Sequence, residues 1–150
     1  MRKLILGLIL LGLVGMLITG CSGKGADENF DIMLEKANDV GSLQITLSYD
    51  ASIIEITEVK AGKLGKNTLL EFNKDTAGFL VIGVADSAGI NGSGPIAEVS
   101  FKLLQEDREC PLRITEAGAY NNDTLVDISI KLTDGMITRE KVSPPSIAFR

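Results

Sequence analysis

The residues of this chain that could perform chemistry are mostly acidic, because its 150 residues include 20 Asp and Glu but no His. Histidine is the commonest general base near neutral pH and a frequent metal ligand, so its absence argues against most catalytic triads and zinc sites. Glu55 and Glu58 form one candidate carboxylate pair. They lie an odd number of positions apart in a predicted strand, so we expect them on opposite faces, where they could not act together.

A second acidic group lies near the end of the chain, where Asp123 and Asp127 follow Asn121 and Asn122. These side chains offer the oxygen ligands that Ca²⁺ prefers, but their spacing differs from that of a calcium-binding loop, which favours a simple turn. The glycine-rich stretch 89–94 lacks the lysine of a phosphate loop, and no motif supports a serine–lysine pair. We therefore predict no enzymatic activity, no metal and no cofactor.

The overall charge also restricts the partners. The formal net charge is −5, and the 15 Lys and Arg residues form no basic patch, so we expect no nucleic acid binding.

The first 21 residues are typical of a lipoprotein signal peptide. Arg2 and Lys3 precede the apolar stretch 4–17, and the segment 18–21 reads Ile-Thr-Gly-Cys. Cys21 would become the lipidated first residue of an exported protein, attached to the cell membrane or outer membrane and displayed at the cell surface. Cys110 would then have no disulfide partner. The alternative is an uncleaved transmembrane anchor.

The elements that must position any site are short and alternate between apolar and polar residues. We expect nine strands, at residues 30–36, 43–49, 53–59, 68–72, 79–85, 96–104, 112–115, 124–132 and 136–139. This pattern predicts an all-β sandwich over residues 30–140. A polar tether over residues 22–29 would precede the sandwich, and a flexible tail over residues 141–150, which includes Pro144 and Pro145, would follow it.

Four segments, one of which is the bend at Gly62–Leu64, carry a resemblance to a known family. Residues 41–50 read GSLQITLSYD and lead into the strand IEIT, residues 85–103 combine a glycine-rich loop with the strand AEVSFKL, and residues 116–126 read EAGAYNNDTLV. Together they resemble cohesin modules, over roughly residues 29–140. The resemblance implies a nine-stranded Ig-like, jelly-roll sandwich that binds dockerin modules. Cohesins usually have a further strand before the one at Phe30, and the segment 22–29 is too short and too polar to supply it.

The strand at residues 79–84 is apolar on both faces, which a partly solvated sheet does not require. We expect Phe79 and Val81 in the core and Leu80, Ile82 and Val84 outside, where either a loop or a partner covers them. The resemblance places this strand on the dockerin-binding sheet. The predicted partner-binding residues are an apolar centre and a polar rim, namely Leu80, Ile82, Val84 and Leu125, with Ser42, Gln44, Asn121 and Asn122 around them.

Two other functions remain as alternatives. Sandwiches of this kind resemble carbohydrate-binding modules, which act in polysaccharide breakdown and stack aromatic rings on sugars, but this chain has no Trp and only two Tyr. The second alternative is a structural domain of the envelope or an adhesion domain. Our preferred hypothesis is a surface lipoprotein whose cohesin-like module captures a dockerin-like protein.

Overall fold

A computed structural model describes residues 27–150 of the chain, and this part is entirely β. The strands are β1 (Glu28–Ser48), β2 (Ile54–Ala61), β3 (Leu69–Asn73), β4 (Phe79–Leu103), β5 (Cys110–Asn121), β6 (Ile130–Thr133), β7 (Gly135–Ile137), β8 (Val142–Ser143) and β9 (Ser146–Phe149). The expected nine-stranded all-β fold is confirmed. Residues 27–150 contain no helix long and apolar enough to cross a membrane. The predicted signal peptide with Cys21, and residues 22–26 of the tether, lie outside the described residues.

Two long strands form the centre of the fold. Each of them corresponds to two of the predicted strands. β1 has 21 residues and β4 has 25, and they pair antiparallel twice. Residues 28–34 of β1 pair with residues 94–101 of β4, and residues 42–48 pair with residues 79–85. Between these stretches the register shifts repeatedly, and both strands bend from one layer of the sandwich to the other.

The first pairing is the centre of a back sheet and the second is the centre of a front sheet. In the back sheet, β2 pairs with the end of β4, while β9 pairs with the start of β1 and with β6. In the front sheet, β3 pairs with the start of β4, and β5 pairs with the end of β1. The start of β5 continues into a small ladder with β7 and β8.

A single hydrophobic core lies between the two sheets. Phe101 from β4 is completely buried, and its ring centroid is 5.8 Å from that of Phe30. Its neighbour Lys102 is exposed, so the expected alternation of this strand is confirmed. The core holds no buried polar side chain among the described residues.

The predicted orientation of the strand at residues 79–84 is wrong. Leu80 and Ile82 are 0% exposed and Val84 is 3% exposed, whereas Phe79 is 43% exposed. The reason is the pairing with β1, since directly paired residues of an antiparallel ladder point to the same side. Leu80, Ile82 and Val84 pair with Leu47, Ile45 and Leu43, which are all buried.

The predicted flexible tail is also wrong. The segment contains β8 and β9, and Ile147 and Phe149 of β9 are buried in the core. These two residues alternate with small residues, which is typical of a strand. The nearby Pro144 and Pro145 instead led to the prediction of a flexible tail. β9 lies beside the start of β1, the sheet edge that a missing first strand would leave open. β1 itself begins at Glu28, two residues before the expected boundary.

Candidate functional site

The outer surface of the front sheet carries the candidate binding site. Its strands lie in the order β3, β4, β1, β5, and paired residues form rows across them. We define the front face as the outward residues of two adjacent rows. The upper row is Leu69, Ala85, Ser42 and Tyr120, and the middle row is Glu71, Gly83, Gln44 and Gly118.

An open depression of about 440 Å³ covers this front face, and Glu116 lines it as well. Gly83 and Gly118 lie on either side of Gln44 in the middle row. A Cβ atom built on either glycine would meet no atom within 4 Å, and neither residue has a positive φ. The domain therefore does not need glycine at these positions for its backbone or packing. Their absent side chains hollow the surface, which lets another molecule approach the sheet closely.

The charges in the depression are acidic. Glu71 of β3 and Glu116 of β5 both line it, and no Lys or Arg does. Among residues 27–150, neither carboxylate takes part in a salt bridge. The depression thus combines two unpaired carboxylates with the amide of Gln44 and with the apolar surfaces of Leu69 and Tyr120, which are 66% and 48% exposed.

A loop at residues 122–129, which we call the tip loop, follows directly after Tyr120 and Asn121. The side-chain Oδ1 of Asn121 accepts hydrogen bonds from the Thr124 N–H and hydroxyl, both at 2.9 Å. The Leu125 N–H in turn donates to the Asn121 carbonyl at 3.0 Å. This turn holds Leu125 at a φ of 55°, a conformation that costs an L-residue about 1 kcal/mol or more.

The same turn displays apolar side chains to solvent. Leu125 is 76% exposed and Val126 is 61% exposed. The loop is nevertheless well attached, because Ile128 donates a backbone hydrogen bond to Ala119 at 2.8 Å and Asp127 forms a bridge with Tyr120. A firmly held loop that exposes two large apolar residues, one of them in a strained conformation, is typical of a binding surface.

The structure brings together only part of the predicted site. Ser42 and Gln44 lie on the front face as expected, and Leu125 is exposed beside it. Leu80, Ile82 and Val84 belong to the core instead, because the pairing with β1 turns them inward.

Asn121 and Asn122 have a structural role in the free domain. Asn121 caps the tip turn, as described above. The Asn122 N–H donates to the Asp39 carbonyl at 2.8 Å, and its side-chain amide donates to the Ser87 carbonyl at 3.2 Å. Asn122 therefore joins the tip loop to β1 and β4 at the upper end of the front sheet. Both residues position the tip loop whether or not they touch a partner.

Several residues that line the depression were missed by the sequence-based prediction, in particular Leu69, Glu71, Gly83, Glu116 and Gly118. The two glycines carried a usable signal, since a glycine inside a strand often marks a place where another molecule approaches the backbone. The small residues Gly83 and Ala85 also alternate with Ile82 and Val84, which indicates the outward side of that strand.

The other chemical candidates do not form a reaction site. A register shift between Ile56 and Glu58 turns Glu55 and Glu58 to the same side of the back sheet, which corrects our expectation of opposite faces. Both are exposed, and Glu58 forms a salt bridge with Lys60 at 2.9 Å. Burial raises the pKa of the Cys110 thiol, which makes it less reactive. Residues 27–150 contain no cluster of three or more potential metal ligands.

Comparison with known proteins identifies the family. The sequence profile of the cohesin domain matches residues 16–138. The chain belongs to the cohesin family. A relative of this cohesin domain is cellulose-binding protein A of Clostridium cellulovorans, which is 21% identical over 120 residues. That match covers 75% of this chain but only 6% of the relative's length.

Solved structures show the same fold. The cohesin domain is similar to a non-cellulosomal cohesin from the archaeon Archaeoglobus fulgidus, with a TM-score of 0.59 and 20% identity, over 81% of this chain and 90% of that one. The sixth cohesin of scaffoldin B from Acetivibrio cellulolyticus, solved with a Cel5 dockerin, has a TM-score of 0.59 and 17% identity over 73% and 97%. A type I cohesin–dockerin complex from Clostridium thermocellum matches with a TM-score of 0.59 and 13% identity over 82% and 96%.

A pair of neighbouring substitutions tests the orientation of residues 79–85 in this cohesin domain. We expect Ile82→Asp to lower the free energy of unfolding by more than about 3 kcal/mol, because it places a charge in the core. Gly83→Asp should lower it by about 1 kcal/mol or less, because its side chain would enter open space. Urea unfolding followed by circular dichroism measures both values. Similar losses for the two variants would contradict the described register.

Proposed function

We propose that this cohesin domain binds a dockerin-type module through its front face. The fold supports the class of partner, since two similar cohesin structures were solved as complexes with dockerins. The observation that carries the proposal is the open depression around Gln44, whose flanking glycines serve no purpose in the domain's own backbone or packing. A hollow, firmly supported sheet surface suits rigid docking of a helical partner.

Different residues in and around the depression would contribute apolar contact area and hydrogen bonds to binding. Leu69 and Tyr120, together with Leu125 and Val126 of the tip loop, expose the apolar area that would be desolvated on docking. Gln44, at the floor between the two glycines, would fix the position of the partner by hydrogen bonds. Because the free domain already holds these groups in place, little conformational entropy should be lost on binding.

Carbohydrate binding is the weaker candidate. Tyr120 is the one aromatic residue that lines the depression. A single ring gives little stacking surface for a polysaccharide, and the exposed aliphatic residues beside it would not be used.

Filling the depression should remove binding without unfolding the domain. We expect Gly118→Leu to weaken the affinity for dockerin modules of the source organism at least about tenfold, because the leucine occupies the space into which the partner must dock. The melting temperature should stay within a few degrees, since a Cβ atom at this position meets nothing within 4 Å. Isothermal titration calorimetry with calcium-loaded dockerin modules measures the affinity.

Ser100→Leu is the matched control, because it adds a similar volume on the outer side of the back sheet. This variant should bind as the parent does. A folded Gly118→Leu variant with unchanged affinity would place the binding surface elsewhere. A parent protein that binds none of the organism's dockerin modules would overturn the proposed partner.

A second substitution separates binding from folding at the tip loop. Leu125→Gly should leave the stability unchanged or raise it by up to about 1 kcal/mol, because glycine adopts a φ of 55° without strain and little packing is lost. The affinity for the dockerin module should fall about fivefold or more, because apolar contact area is removed. Thermal unfolding and titration measure the two effects. A destabilised variant with normal affinity would show that Leu125 serves the fold.

We further propose that the domain is displayed on a membrane through a lipid on Cys21. The proposal rests on the charged start, the apolar stretch and the Ile-Thr-Gly-Cys ending of residues 1–21. In the full-length protein, we expect Cys21→Ser to abolish incorporation of radiolabelled palmitate and to move the protein from the membrane pellet to the soluble fraction. Detergent-free fractionation measures this shift. A variant that still sediments fully would indicate an uncleaved spanning anchor.

A further inference from the structure

The outer surface of the front sheet continues below the front face. Two further rows of paired outward residues lie below the middle row, namely Asn73, Val81, Thr46 and Glu116, and then Phe79, Ser48 and Arg113. Along β4 the outward side chains therefore change from the small Ala85 and Gly83 to the larger Val81 and Phe79. The surface is hollow at its upper end and more apolar at its lower end.

A second open depression, which we call the lower depression, lies at this lower end. Its volume is about 550 Å³, and the residues that line it include Ser48, Tyr49, Asp50, Gly78, Phe79 and Arg113. The Tyr49 N–H donates to the Gly78 carbonyl at 2.9 Å, which fixes the backbone directly before Phe79. The Phe79 side chain is nevertheless 43% exposed. The lower depression is thus already formed in the free domain and presents an aromatic ring to solvent.

The charge on the front sheet changes sign between the two depressions. Of the described residues that line the depression of the front face, Glu71 and Glu116 are charged and none is Lys or Arg. In the lower depression Arg113 is the one basic residue, and no salt bridge among residues 27–150 includes it. Asp50 lies there too, but its Oδ1 already accepts two hydrogen bonds from Ser52, at 2.6 and 2.9 Å.

This chemistry defines the group that the lower depression suits. The guanidinium of an arginine is a planar donor that binds a carboxylate through two parallel hydrogen bonds. The exposed ring of Phe79 beside it offers apolar contact area. A fitting ligand therefore presents an acidic side chain together with an apolar one, which is the opposite of the charge that Glu71 and Glu116 attract.

The two depressions lie in line along the strands. Gln44 in the first and Ser48 in the second are both outward residues of β1, and their separation of four residues corresponds to about 13 Å. A helix covers this distance in about nine residues. The tip loop borders the front face at its upper end, so a partner that is seated around Gln44 and continues along the strands extends towards Phe79.

We propose that the partner docks a helix lengthwise on the front sheet, with an apolar side chain on Phe79 and a carboxylate against Arg113. This inference rests on the dockerin-type partner proposed above. About nine residues away, the same face of the helix carries basic or uncharged side chains near Glu71 and Glu116. The charges then select one direction of docking, because a reversed helix would bring its carboxylate to the two glutamates.

Reversal of one charge in the lower depression tests the contact. We expect Arg113→Glu to weaken binding of the calcium-loaded dockerin module that the parent binds most tightly by at least about fivefold at low salt. The loss should arise mainly in the association rate and should shrink at high salt. Surface plasmon resonance measures both rates. The melting temperature should stay within a few degrees, because Arg113 is exposed.

Lys102→Glu is the matched control, because it changes the net charge equally but lies exposed on the outer side of the back sheet. Its affinity should stay within about twofold of the parent's. A charge exchange identifies the partner's residue: replacing the acidic side chain of the docked helix with Lys should restore binding to Arg113→Glu. Equal effects of Arg113→Glu and Lys102→Glu would overturn the lengthwise docking.

The footprint of the partner provides a test that needs no variant. In the isotopically labelled domain, we expect the amide resonances of Phe79, Val81 and Arg113 to shift on addition of the dockerin module, together with that of Gln44. The amide of Lys102 should not shift. A footprint limited to the upper two rows would overturn the lengthwise docking but keep the proposed partner. A parent that binds no dockerin module would overturn both.

Discussion

The double pairing of β1 with β4 is the interaction on which the rest of this cohesin domain depends. The two strands share one hydrogen-bonded ladder in the back sheet and another in the front sheet. β2 and β3 attach to β4, whereas β5 and β9 attach to β1. Because paired residues point to the same side, this pairing decides which side chains of both sheets enter the common core. The bend near Lys36 and Asp39, both with positive φ, allows one strand to serve two layers.

The proposed binding surface is a consequence of that arrangement. Once Leu80, Ile82 and Val84 are turned inward, the small residues Gly83 and Ala85 face outward and the front face becomes hollow. The side-chain oxygen of Asn121 accepts a hydrogen bond within the tip turn, and the side-chain amide of Asn122 donates one to Ser87. These bonds hold the tip loop at the upper end, where Leu125 and Val126 remain exposed. Polar contacts of the domain thus support a loop that exposes apolar side chains. This exposure does not stabilise the free monomer.

The start of β1 would leave an open edge in the back sheet if β9 were not paired with it. β9 covers that edge and at the same time gives β6 a partner. Pairing with β9 protects this edge from association with other chains.

The sequence by itself determined the all-β class, because alternation with period two is a local property of segments such as Ala97–Leu103. It also determined the family, through residues 41–50, 85–103 and 116–126, and it placed Ser42 and Gln44 on the exposed side of their strand. Only the tertiary structure decided the orientation of residues 79–85, since a strand that is apolar on both sides has no preferred face until its neighbour is known. The position of β9 in the sheet was likewise decided only by the tertiary structure. Its partners in β1 lie more than a hundred residues away, and no local pattern reports a pairing over that distance.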